Sequence, residues 1–368
     1  MFPCRSGMKK SIIKAGLVAA VAGSMILPTT AHAEPAPDVS TKLSGKTIFL
    51  DPGHQGTNHT EDMARQVDDG RGGTKECQTS GMTTPNGVAE HTINWKVSQL
   101  VKAAVESLGA KVVMSRNDDE GWGGCIDERA AAANASGADV AVSIHADGAP
   151  PADHGFHLIV PQLPIPNAAA DQAQSGGGAQ LSKDVRDAYV RSGFSPANYA
   201  GAVDGLQTRA DVAGPALTTV PLVFVEMGNG ANPEDAQLLE TGEGQLKHAI
   251  AITTGVVSYL LGQTTVVTPV RGTPPPTTGD STTPRRTSPD TTTQRSRPSV
   301  VAPEEDSSPL SALDSGSAGE GLTSMAMSLL SPLLEELGLG SVGSLVDDEM
   351  VGMVTDLASQ MIGIALSK

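Results

Sequence analysis

Between residues 45 and 262 short apolar runs alternate with amphipathic helical runs, and this alternation restricts the fold more than any other feature of the chain. Parallel strands need a helix-length crossover between them. Strands interleaved with helices therefore imply an α/β domain, a twisted and mostly parallel sheet with helices on both faces. Residues 46–50 form an apolar run that stops at Asp51-Pro52-Gly53, a turn signal. Ile93, Val97, Leu100, Val101, Ala104, Val105 and Leu108 recur at helical spacing, and Gly109 suits a stop, so a helix is predicted over 89–108. Further strands are predicted at 111–115, 138–144, 155–160 and 220–225, and helices at 126–135, 181–192 and 236–261. The run 161–180 is rich in Pro and Gly and is expected to be a helix-free, mobile loop.

The flanks have a different character. Arg5, Lys9, Lys10 and Lys14 precede the apolar stretch 15–27, and Ala31-His32-Ala33 supplies a small-x-small cleavage pattern, so residues 1–33 are expected to be an export signal. The apolar stretch is too short for a permanent transmembrane anchor. Residues 263–309 form a Thr/Pro/Ser/Arg tract, expected to be a disordered linker. Residues 310–368 carry eight acids and one lysine and form a short acidic tail with amphipathic helical patterns near 322–337 and 346–365. A protein partner for that tail is one expectation. The net charge of −16 excludes sequence-independent nucleic-acid binding, which needs a basic footprint. Cys4 lies in the export segment, leaving Cys77 and Cys125. In an exported chain these are expected to form one disulfide, with two free thiols as the alternative.

Chemistry-bearing residues stand where apolar strand runs end. His54 follows 48–50, His145 follows 140–144, and Glu226 follows 222–225. In open α/β sheets ligands bind at the carboxyl ends of parallel strands, so these side chains can converge, with Glu90 at the start of the 89–108 helix. Two histidines and a carboxylate suit a catalytic zinc ion. The spacing matches no short zinc motif, and a His or Glu ending a strand run is often simply structural. His91, next to Glu90, is an alternative ligand, but it points about 100° away around the helix. The remaining histidines, among them His59, His154, His157 and His248, are read as structural or solvated.

Asp51-Pro52-Gly53-His54, the Arg129-x4-Asn134 segment followed by Ser143-Ile144-His145-Ala146-Asp147, and Val225-Glu226-x-Gly228-Asn229 occur in this order. Together they resemble the zinc-dependent N-acetylmuramoyl-L-alanine amidases of the Amidase_3 type. The stretch from Arg65 to Gly81, with Gly70-Arg71-Gly72-Gly73-Thr74-Lys75-x-Cys77-Gln78, and Arg209-x-Asp211-x-Ala213-Gly214 resemble the secreted mycobacterial branch. The resemblance spans about 45–262 and leaves out the linker and tail. It implies zinc held by His54, Glu90 and His145, with Glu226 as the catalytic carboxylate, and a Cys77–Cys125 disulfide. Arg209 and Asp211 are expected either to line the substrate cleft or to form a structural ion pair.

The implied activity is hydrolysis of the amide bond between N-acetylmuramic acid and L-alanine in peptidoglycan or muropeptides by a secreted cell-wall enzyme, in wall remodelling or daughter-cell separation. The competing readings are a non-catalytic peptidoglycan-binding regulator and a different zinc peptidase of the wall.

Overall fold

Successive side chains of a strand point to opposite faces, so strand register decides which side chains share a site. The strands are β1 (Thr47–Pro52), β2 (Gln66–Asp68), β3 (Thr74–Glu76), β4 (Lys111–Met114), β5 (Val140–Asp147), β6 (His157–Pro161), β7 (Leu206–Arg209) and β8 (Leu222–Asn229). The helices are α1 (Glu90–Ser107), α2 (Ile126–Ala135), α3 (Ala168–Ala173), α4 (Ala179–Arg191), α5 (Ala213–Leu217), α6 (Pro233–Glu240) and α7 (Gly242–Leu261). The computed structural model describes residues 39–262 and Leu330, Leu333 and Leu334. The expected export segment, the 263–309 linker and the rest of the tail lie outside the described residues.

Six strands form one sheet in the order β4-β1-β5-β8-β6-β7. The pairs β4–β1, β1–β5 and β5–β8 are parallel, β6 runs antiparallel to β8, and β7 is parallel to β6. This is the mostly parallel α/β sheet the alternation implies. β2 and β3 form a separate antiparallel pair.

On β5, Val140, Val142, Ile144 and Ala146 enter one apolar cluster with Ile48, Leu50, Val223 and Val225 and with residues of α1, α4 and α7. Ala141 points the other way and packs with Phe49, Leu222 and Ala133 of α2. The same alternation puts Ser143, His145 and Asp147 on the α2 side. α1 buries Ile93, Val97, Leu100, Val101, Ala104 and Val105, the residues whose spacing predicted it. α7 is buried around most of its circumference, as a helix in contact with both α1 and α4 must be. Leu330, Leu333 and Leu334 are helical, at most 2% exposed, and belong to the α1/α4/α7 cluster.

The run 161–180 departs from expectation. Asn167 caps α3 by accepting from the amides of Ala169 and Ala170, and a π-helical turn at Gln174–Gly178 joins α3 to α4. Buried Gln174 anchors that turn: its Nε2 donates to the carbonyls of Thr218 and Val220, each at 2.8 Å, and its Oε1 accepts from Leu222 N. Long-range bonds thus order a Gly-rich stretch that local propensity leaves open. The strands at 206–209 and in the β2–β3 pair also go beyond the sequence reading. Predicted strand ends shift as well, because β5 and β8 continue through His145 and Glu226.

Candidate metal centre and active site

His54 leaves β1 through Asp-Pro-Gly and takes a left-handed backbone with φ 59°. That conformation is uncommon for a side-chain-bearing residue and concentrates at functional sites. Glu90 is the first residue of α1, where the positive end of the helix favours a carboxylate. His145 lies within β5, in register with Glu226 of β8.

His54, Glu90 and His145 meet. Each offers one ligand atom, and the three atoms lie within 4.8 Å of one another. Glu90 Oε1 is 3.1 Å from both His54 Nε2 and His145 Nδ1. His54 Nδ1 donates to the Thr79 carbonyl at 2.9 Å, which leaves Nε2 with its lone pair facing the cluster. Glu90 accepts from the amides of Met82 (2.9 Å) and Ala146 (3.1 Å) and from Asn94 Nδ2 (3.1 Å), so its orientation is fixed from three sides. Burial works against its charge, but His54 and His145 outweigh it and hold the carboxyl well below the usual carboxylate range. Burial likewise opposes charge on His54, yet Glu90 carries that imidazole above its ordinary value. At His145 burial prevails and lowers it. Two imidazoles around an ionised carboxylate form a donor set that fits a zinc-sized cation.

Two glycines make room for this packing. A Cβ on Gly53 would lie 2.2 Å from His145 Cε1, and one on Gly81 would lie 2.5 Å from Glu90 Oε2. His145 also stacks flat on Phe224, with centroids 4.4 Å apart and planes 9° from parallel.

Glu226 lines the same cleft of about 810 Å³ as the cluster. Its Oε2 is buried without a hydrogen-bond partner. Burial, reinforced by the charges of Glu90 and Asp147, pushes its carboxyl well above the usual range, and Arg209 opposes that shift. Gln66, Lys75 and Glu76 of the β2–β3 pair line the cleft, as do Val212, Ala213 and Gly214.

The other sequence candidates fall as follows. Arg209 Nε donates to Asp211 Oδ1 at 2.9 Å, and the two form an ion pair. Lys75, which lines the cleft, donates to the Asp211 carbonyl at 2.7 Å. Cys77 and Cys125 are disulfide-bonded with Cα atoms 4.6 Å apart, joining the end of β3 to the start of α2. His91 pairs with Asp119 at 2.8 Å and takes no part in the cluster.

Two residues of the site escaped the sequence reading. Asn94 is fully buried and bridges Glu90 to the Gly53 carbonyl, and the i, i+4 spacing from Glu90 could have flagged it. Asp51 reads in sequence only as a turn residue. In the fold it accepts from Arg129 (2.7 Å), Ser115 (2.7 Å) and Ser143 (2.8 Å). Arg129 also donates to the carbonyls of Pro52 and His54, so this pair secures the turn that presents His54.

Residues 48–258 match the family model described as N-acetylmuramoyl-L-alanine amidase (Amidase_3). The chain is similar to N-acetylmuramoyl-L-alanine amidase Rv3717 of Mycobacterium tuberculosis, 39% identical over 243 residues that cover 66% of this chain and 98% of that protein. Among solved structures it is similar to the N-acetylmuramyl-L-alanine amidase Ami1 of Mycobacterium smegmatis, with 45% identity and TM-score 0.57 over 60% of this chain and 99% of that one. It is also similar to Ami1 of Mycobacterium abscessus, with 42% identity and TM-score 0.56 over 59% and 99%.

Proposed function

The chain belongs to the Amidase_3 family of N-acetylmuramoyl-L-alanine amidases, and on that footing we propose that it hydrolyses the amide bond between N-acetylmuramic acid and L-alanine in peptidoglycan. The observation that carries the reading is the meeting of His54, Glu90 and His145 in one cleft with a buried carboxylate, Glu226, whose Oε2 has no structural partner.

His54, Glu90 and His145 would hold zinc, which there would polarise the scissile carbonyl and lower the pKa of water toward about 7. Glu226 accepts a proton from the attacking water and returns it to the departing amine of L-alanine. A carboxyl raised by burial suits both transfers, because it takes up and releases a proton closer to neutrality than an exposed glutamate does. Glu90 cannot share this task, since its oxygens are engaged by two histidines, two amides and Asn94.

Residues 1–33 export the chain, 45–262 form the catalytic domain, 263–309 space it, and 310–368 form an acidic tail. The enzyme acts outside the membrane in wall remodelling or daughter-cell separation. Among the described residues no helix is long and apolar enough to cross a membrane.

Mass analysis of purified muropeptides tests the assignment. Intact stem peptides with a free L-alanine amine are expected, lost with chelator and restored by zinc. Cleavage within the peptide, leaving the muramyl amide whole, would replace the reading with a peptidase. Binding without products would replace it with a regulator.

A further inference from the structure

His157 of β6 is fully buried and stands opposite Glu226 of β8 in the antiparallel register. Glu226 is also in register with His145 of β5. Three adjacent strands therefore present His145, Glu226 and His157 in one row on one face, with the catalytic carboxylate in the middle. Directly opposed residues in such a pair have Cβ atoms about 4.5–5.5 Å apart, close enough for their side chains to constrain each other.

The side toward β6 is polar and enclosed. Both ring nitrogens of His157 are buried without a hydrogen-bond partner, as is Glu226 Oε2. Asp147 Oδ2 is 3.8 Å from His157 Nε2, Gln207 faces the ring, and Tyr199 meets it edge-on at 5.5 Å between centroids. An imidazole kept in such a place sacrifices hydrogen bonds that an apolar residue would not need.

We propose that His157 is a positioning residue for Glu226, its ring walling the β6 side so that the carboxylate stays directed into the cleft beside His145. Glutamate has three rotatable bonds, and the ring removes the rotamers that would swing the carboxylate away from the cluster. Burial lowers the His157 imidazole, so the ring fills the space beside Glu226 without bringing a positive charge to the carboxylate. An arginine or lysine at this place would neutralise it.

The inference rests on the amidase reading, and two measurements keep the two apart. In a crystal structure of the zinc-loaded His157→Ala enzyme, the Glu226 carboxylate is expected to leave the position it holds in the wild-type enzyme or to split between rotamers. In kinetics on a muropeptide, His157→Ala is expected to lower kcat by about 10²-fold with KM and bound zinc near wild type. His157→Phe, which keeps a ring, is expected to recover part of the loss. A Glu226 position unchanged in His157→Ala would overturn the proposal whatever the activity. So would a wild-type kcat, or a loss that merely follows the folded or zinc-loaded fraction. A wild-type enzyme that leaves the muramyl amide intact would defeat the amidase reading, while the Glu226 position would still decide the role of His157.

Discussion

Replacing Asp51 with Asn tests whether the turn that presents His54 is held by charge. Burial alone would raise the Asp51 carboxyl, but Arg129, His145 and the hydroxyl of Ser115 reverse that and lower it from 3.8 to about 2. A carboxyl so depressed contributes about 2.5 kcal/mol of stability at neutral pH. Because the folded value lies below the unfolded one, that stability is complete above about pH 5 and is lost as pH falls from about 4 toward 2. Asp51→Asn leaves the Arg129 side chain, only 5% exposed, with carbonyl partners and no counter-charge. Breaking a buried pair from one side costs about 3–5 kcal/mol. Urea unfolding of both proteins at steps between pH 7 and pH 2 isolates the Asp51 contribution as the difference between them. That difference should be about 3 kcal/mol at pH 7 and shrink by about 2 kcal/mol by pH 2, since other titrating groups cancel. A difference below about 0.5 kcal/mol at pH 7, or one constant across the range, would refute the reasoning.

Other perturbations probe other layers of the structure. Asn94→Leu keeps volume but removes the donor to Glu90 and Gly53, and competition with a chromophoric chelator should show zinc affinity reduced by about 10–100-fold; an unchanged affinity would show that Asn94 does not orient Glu90. Gly81→Ala places a methyl 2.5 Å from Glu90 Oε2 on a backbone with φ 75°, so zinc loading measured by mass should fall together with activity. Leu333→Asp puts a charge where a fully buried leucine packs into the α1/α4/α7 cluster. If the tail secures that layer, the melting midpoint drops by several degrees, and an unchanged midpoint would mean that the segment adds no stability.

Local pattern made much of the framework legible. α1 was visible because its buried residues follow helical spacing, and the central strands because continuous apolar runs mark strands covered on both faces. His54, Glu90, His145 and Glu226 stood out because chemistry-bearing residues ended those runs or opened α1. What escaped depends on distant partners. β7 is a four-residue strand at the sheet edge with only Gln207 buried, and nothing in its own sequence marks it. The π-turn at 174–178 is ordered by what Gln174 reaches on the segment 218–222, so its glycines misled the reading. Asp51 looked like punctuation because its partners lie on β5, on α2 and just beyond β4. His157 looked ordinary because its importance comes from strand register, which the sequence does not display.

The central claim is that His54, Glu90 and His145 together hold one metal ion while Glu226 stays free. Anomalous diffraction at the zinc edge from crystals of the zinc-loaded protein tests it most directly. The account predicts one peak about 2.0–2.2 Å from a nitrogen of His54, a nitrogen of His145 and an oxygen of Glu90, with Glu226 uncoordinated. A peak elsewhere, or one in which Glu226 replaces Glu90 as the ligand, would contradict it.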